Sequence, residues 1–103
     1  MTMAWAYIVE CADGFYYTGS TRDLALRVGQ HADGLGARFV RKRRPIVLVW
    51  AQEFEHVGEA YEAERRIHGW SRAKKRALIE GRYSDLPALA RSRARDMPNE
   101  AQS

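Results

Sequence analysis

Two short runs rich in β-branched and aromatic residues flank a turn sequence near the start of the chain. They cover residues 5–11 and 15–20, and Ala12-Asp13-Gly14 lies between them. Such runs on either side of an Asp-Gly pair predict a β-hairpin. This hairpin decides which side chains share a face of the sheet, and it therefore constrains the fold more than any other feature.

The length of the hairpin loop decides where two tyrosines point. With a two-residue loop, Tyr7 and Tyr17 would lie on opposite faces, because side chains alternate along a strand. With a three-residue loop and Gly14 in the left-handed conformation, Tyr7 lies opposite Gly19 and Tyr17 opposite Val9. We predict the three-residue loop. Both phenols then share one face beside an open glycine floor, where a polar group can bind.

The rest of the chain predicts four more elements. They are a helix capped by Ser20 or Thr21 that runs through His31, a buried strand over residues 46–54, and helices over residues 59–68 and 72–80. The order β-β-α-β-α-α predicts a small α/β fold, a three-stranded antiparallel or mixed sheet flanked by helices. We expect one domain over residues 1–83, followed by a short helix and a flexible tail over residues 84–103.

Composition excludes several classes of protein. No apolar run is long enough to span a membrane and no secretory pattern is present, so we expect a cytoplasmic protein without a membrane partner. The single cysteine, Cys11, excludes an intrachain disulfide, and the three histidines show no zinc-binding spacing. The net charge of +4 is mild, so the clustering of charge is more informative than its total.

Two basic clusters are candidates for contact with a nucleic-acid backbone. The first lies before the third strand and the second in the last helix; their members are Arg38, Arg41, Lys42, Arg43 and Arg44, and then Lys74 and Lys75. Clustered cations with an aromatic residue, Phe39, between them suit a phosphate backbone. A merely solvated charge run is the common alternative.

The hairpin also carries a resemblance to a known family. Trp5-Ala6-Tyr7 followed by Tyr17-Thr18-Gly19 is similar to the paired motif of the GIY-YIG nuclease superfamily. The first half of the motif keeps only its tyrosine, and the second half has threonine in place of isoleucine. The predicted order of elements matches that family as well.

Three polar residues extend this resemblance. Arg27 stands about where the family places an arginine after its second tyrosine, and His31 follows one helical turn later. Glu64 lies in the helix after the third strand, where the family has its metal-binding glutamate. The chain resembles, over roughly residues 4–80, the small stand-alone bacterial members of the UPF0213 type. It is also similar to the excision-repair branch, which has a lysine where this chain has Ser20.

The resemblance implies a divalent-metal-dependent DNA endonuclease. Tyr17 would be the general base, Tyr7 would orient the base or the water, and Arg27 would clamp the scissile phosphate. His31 would hydrogen-bond the phosphate or shuttle a proton, and Glu64 would hold Mg²⁺ or Mn²⁺. Magnesium keeps most of its waters, so a single carboxylate suffices as its protein ligand. The expected partner is single-stranded or structured DNA.

Two other functions remain open from the sequence. One is a nucleic-acid-binding module of the same fold with little or no independent cleavage. The other is a protein-interaction domain whose basic surface only contributes to solubility. From the helical pattern alone Arg27, His31 and Glu64 are ordinary solvent-exposed residues, and the tyrosines alone would be a cross-strand pair that stabilises the sheet.

Overall fold

A computed structural model describes residues 3–86, and the predicted α/β architecture is confirmed. The strands are β1 (Ala4–Cys11), β2 (Tyr16–Thr21) and β3 (Ile46–Phe54). The helices are α1 (Leu24–Ala32), α2 (Arg38–Arg41), α3 (Val57–His68) and α4 (Arg72–Ile79), followed by a 3₁₀ turn at Tyr83–Asp85. The sheet is antiparallel throughout, in the order β2-β1-β3. The predicted C-terminal helix and tail lie outside the described residues from residue 87 onward.

The hairpin has the predicted three-residue loop. The Cys11 amide donates to the Phe15 carbonyl at 2.8 Å, and Gly14 adopts a φ of 90°. Tyr7 lies opposite Gly19 and Tyr17 lies opposite Val9, as the prediction required. The positive φ of Gly14 explains why glycine ends the loop, because other residues rarely adopt that conformation.

Helix α1 begins later than predicted. Its cap is Asp23, whose carboxylate accepts from the Leu26 amide at 3.0 Å. The predicted caps were wrong because Ser20 and Thr21 are still paired with β1 as the end of β2. The cap predicted for the last helix is confirmed, because the Ser71 hydroxyl accepts from the Lys74 amide. The unpredicted α2 is a single turn between α1 and β3.

The third strand is not buried as predicted. It is an edge strand, with Val47 62% and Leu48 38% exposed. The central position belongs to β1, so β3 has one strand neighbour among the described residues. A shift in the pairing leaves Val49 as an extra residue between the partners of Ile8 and Val9, which marks a β-bulge. An apolar run therefore predicted the strand correctly, but not its place in the sheet.

The sheet separates two apolar clusters. Ile8 and Tyr16 pack with Ile67 of α3 and Leu78 of α4 on one face. On the other face, Tyr7 and Val9 pack with Val40 of α2, and Tyr17 and Leu24 lie against this second cluster. Tyr7 and Tyr17 therefore face α1 and α2, whereas Glu64 belongs to α3 on the opposite face of the sheet. Within residues 3–86, no helix is both long and apolar enough to cross a membrane.

Candidate active site

The phenol of Tyr7 lies directly over the backbone of Gly19. A Cβ atom at Gly19 would come within 2.5 Å of the Tyr7 hydroxyl oxygen and 2.6 Å of its Cζ, so only glycine leaves room for the ring. Tyr7 is fully buried. The predicted open floor is therefore wrong: the ring of Tyr7 itself fills the space above Gly19. Close approach, not an empty site, is the physical reason for glycine here.

His31 holds the Tyr7 phenol in place. Its Nε2 lies 2.8 Å from the Tyr7 hydroxyl, and the imidazole is only 1% exposed. The other ring nitrogen, Nδ1, is buried without a hydrogen-bond partner among residues 3–86 and packs against Gly36, where a Cβ would overlap it. The predicted contact of His31 with a phosphate is thus corrected, because a ring enclosed in this way positions Tyr7 and does not reach a ligand.

Tyr17 is the more accessible of the two phenols. It is half-buried, with its ring edge-on to His31 at 5.4 Å between centroids and stacked on Phe39 at 6.2 Å. These two neighbours lie in α1 and α2, so helices on one face of the sheet fix the ring of Tyr17. An oriented and partly exposed hydroxyl is what a general base requires.

Arg27 and Glu64 act electrostatically on both phenols. Burial raises the pKa of Tyr7, Tyr17 raises it further, and the Arg27 guanidinium opposes them. Burial also raises the pKa of Tyr17, as does the Glu64 carboxylate, and Arg27 again lowers it. The two phenols, the guanidinium and the carboxylate therefore lie close enough to influence one another, at the β2 edge of the sheet.

Arg27 is anchored along one side of its guanidinium. Its Nε donates to the Gln30 side chain at 3.1 Å, and the residue is half-buried. The guanidinium also hydrogen-bonds the Tyr7 phenol, and its remaining N–H groups can donate to an oxyanion. The predicted role of Arg27 as a phosphate clamp is compatible with this geometry.

Ser20 is a site residue that the sequence did not reveal. Its hydroxyl donates to Glu64 Oε1 at 2.6 Å and thereby joins β2 to α3. Ser20 stood out only as a helix-cap candidate and as a difference from the excision-repair branch. Strand alternation would have found it, because the residue after Gly19 must point to the opposite face, which α3 covers.

The donors around Glu64 fit a hard divalent cation that keeps its own waters. Among residues 3–86, no group of three or more His, Cys, Asp or Glu side chains surrounds a common point. Glu64 Oε2 accepts no hydrogen bond from these residues, so one carboxylate oxygen remains for a ligand. Magnesium commonly binds through one or two carboxylates. Glu64 would hold it, with the Ser20 hydroxyl fixing the carboxylate.

Two arginines of the first basic cluster have structural partners. Arg43 forms an ion pair with Asp13 at 3.0 Å and stacks on the Phe39 ring at 4.0 Å. Arg44 donates to the carbonyls of Ala32 and Arg41, which end α1 and α2. Both side chains stabilise the loops next to the site, and both keep exposed surface, so their contact with a nucleic-acid backbone stays a prediction.

The remaining basic residues divide by exposure. Lys75 is 1% exposed, so its predicted place on a positive surface is wrong; it lies on the buried side of α4. Lys74 is half-buried with its ammonium 4.1 Å from the centre of the Trp70 ring. The exposed members of the first cluster are Arg38, Arg41, Lys42 and Arg44, and their contact with a nucleic-acid backbone stays a prediction.

The buried imidazole predicts a pH dependence of stability. Burial, and then the Arg27 charge, lower the pKa of His31 in the folded chain. In the unfolded chain the pKa of this histidine is about 6.5, so the unfolded state binds more protons than the folded state below that pH. The contribution of His31 to the free energy of unfolding is therefore fully present above about pH 6.5 and is lost as the pH falls. Denaturant unfolding of wild type and His31→Gln at several pH values measures this. The variant should lose less stability on acidification, and equal losses would contradict the prediction.

Comparison with known proteins agrees with this geometry. Residues 3–77 match the family model of the GIY-YIG catalytic domain. The chain is 45% identical over 77 residues to a UPF0213 protein of Halobacterium salinarum, which covers 75% of this chain and all of that protein. It is 40% identical over 82 residues to a UPF0213 protein of Staphylococcus aureus, covering 80% of this chain and all of that protein.

A solved structure shows a similar fold. The solution NMR structure of a UPF0213 protein from Bacillus halodurans is 40% identical in sequence and superposes with a TM-score of 0.50. The match covers 76% of this chain and 83% of that chain.

Proposed function

Because this chain belongs to the GIY-YIG family of nuclease domains, we propose that it is a divalent-metal-dependent endonuclease that hydrolyses phosphodiester bonds in DNA. The observation that carries the proposal is the meeting of Tyr17, Arg27 and Glu64 at one edge of the sheet. Each comes from a different element, β2, α1 or α3, and their charges act on one another. A base, a guanidinium and a carboxylate are the groups that phosphodiester hydrolysis uses.

Each residue has a distinct task in this mechanism. Tyr17 accepts the proton of the attacking water, and Arg27 holds the phosphate and lowers the pKa of that phenol. Glu64 would hold a divalent cation, which would supply charge neutralisation at the phosphate and would offset the carboxylate charge that raises the pKa of Tyr17. Tyr7 and His31 form the buried support behind Tyr17. They keep the base in a single orientation.

The test combines a panel of DNA substrates with a variant that lacks the Tyr17 hydroxyl. Labelled single-stranded, duplex and branched DNA are incubated with the full chain in Mg²⁺ or Mn²⁺, and in a chelator. We expect metal-dependent cleavage, and we expect Tyr17→Phe to lower its rate about 10²–10³-fold because the ring stays while the proton acceptor is lost. Tyr83→Phe, an exposed tyrosine outside the site, is the matched control and should cut as wild type does. Equal cutting by Tyr17→Phe would sink the proposal.

A second candidate is a nucleic-acid-binding module that does not cut alone. The raised pKa of Tyr17 favours it, because a protonated phenol cannot accept a proton. The exposed Arg38, Arg41 and Lys42 would then supply the contacts to the backbone. Salt-dependent DNA binding without cleavage on any substrate would identify this function, and the absence of binding would favour a protein-interaction domain.

A further inference from the structure

In the described part of the chain, the outer edge of β3 is unpaired. Among residues 3–86, only β1 pairs with this strand, so the main-chain groups on its other side have no strand partner. Val47 and Leu48 expose 62% and 38% of their surface there. An exposed apolar edge strand is a template for pairing with another strand. The bulge at Val49 divides β3 into regular halves, residues 46–48 and 50–54.

The two ends of β3 carry opposite charges. Residues 34–52 contain five Arg or Lys and no acidic residue, whereas residues 53–64 contain five Glu and neither Arg nor Lys. We call residues 41–44 the basic flank of β3 and residues 53–55 its acidic flank. The strand therefore carries positive charge where it begins and negative charge where it ends.

An aromatic cleft lies along the same strand. Trp50 and Phe54 of β3 line it together with Ile67 of α3 and with Trp70 and Leu78, and its volume is about 380 Å³. The cleft lies on the α3 face of the sheet, opposite the face that holds Tyr7 and Tyr17. A strand added at the β3 edge would place alternate side chains towards this cleft.

We propose that two copies of this chain pair through their β3 strands in antiparallel orientation. A two-fold axis near the middle of β3 brings the basic flank of each copy against the acidic flank of the other, so the edge is complementary to itself. A parallel partner strand would oppose like charges, which is unfavourable. The two Trp50 side chains then meet near the axis and cover each other's cleft.

This pairing leaves both candidate active sites accessible. The combined sheet has the order β2-β1-β3-β3-β1-β2, so the β2 edges, which carry Tyr17 and Ser20, become the two outer edges. Five strand spacings of about 4.8 Å separate them by about 24 Å. Only this consequence, two cleavage sites in one particle, rests on the proposed function; the pairing itself does not.

Sedimentation equilibrium of the full chain over a range of concentrations tests the pairing. We expect a monomer–dimer equilibrium for wild type. Val47→Glu, which brings a carboxylate to the acidic flank of the other copy, should raise the dimer Kd at least tenfold, about 1.4 kcal/mol. Leu35→Glu is the matched control: it replaces a 74% exposed leucine in a loop and should leave the Kd unchanged. Circular dichroism verifies that both variants fold.

A charge exchange tests the antiparallel orientation. Glu55→Lys alone and Lys42→Glu alone should each weaken the dimer, and the double variant should restore it, because opposite charges then face each other again. A wild-type chain that is monomeric at every concentration, or a dimer indifferent to Val47→Glu, would overturn the pairing. DNA cleavage by a monomeric wild type would leave the proposed function standing while the pairing failed.

Discussion

Glu64→Gln should lower the rate of metal-dependent DNA cleavage by about 10²–10³-fold, a loss of about 3–4 kcal/mol in transition-state stabilisation. Glutamine has nearly the shape of glutamate and can still accept the hydrogen bond from Ser20. It has no negative charge, so it cannot hold a hard divalent cation at the same strength. Single-turnover cleavage of the best substrate, measured against Mg²⁺ concentration, gives the size of the effect.

Two controls separate a lost cation from a lost fold. Glu62→Gln makes the same chemical change at an exposed position on the same helix and should cut as wild type does. Anisotropy of labelled DNA should show that Glu64→Gln still binds, and Mn²⁺ titration should show weakened metal binding. A Glu64→Gln protein that cuts at the wild-type rate would remove the carboxylate from the mechanism.

Gly19→Ala should reduce the free energy of unfolding by about 1–3 kcal/mol, the usual cost of overpacking a core. The added Cβ would meet the Tyr7 phenol at 2.5 Å. The ring cannot easily move, since it is fully buried and its hydroxyl is held by His31 at 2.8 Å. Urea denaturation measures the loss, and cleavage should fall as well because Tyr7 supports Tyr17.

Gly29→Ala is the matched control for this substitution. Gly29 lies inside α1, and a Cβ there would meet no atom within 4 Å. Alanine at this position should stabilise the chain by about 0.5–1 kcal/mol, because glycine is a poor helix former. If Gly19→Ala were as stable as wild type, the close packing of Tyr7 on Gly19 would not hold in solution.

The register of the hairpin was predictable because its causes are local. The left-handed Gly14 sets the loop length, and alternation along the strands then places Tyr7 opposite Gly19 and Tyr17 opposite Val9. The helical spacing of Arg27 and His31 is equally local. The same reasoning failed for the start of α1, because pairing with β1 keeps Ser20 and Thr21 in β2.

Burial was not predictable from the same patterns. Lys75 lies in a cationic run and is nevertheless buried, because of how α4 packs, while Val47 lies in an apolar run and is exposed because β3 forms an edge. His31 occupies the position expected for a ligand contact, yet it is enclosed between Tyr7 and Gly36. In each case the outcome depends on elements distant in sequence.

The sequence by itself determined the three strands, the longer helices, the pairing of the hairpin and the family, because turns, strand alternation and helical spacing depend on residues close together in the chain. The tertiary structure alone decided which candidate groups are accessible. It enclosed His31, filled the space above Gly19 with Tyr7, and joined Ser20 to Glu64 across 44 positions. Accessibility depends on how helices and strands pack, and packing is a property of the whole fold.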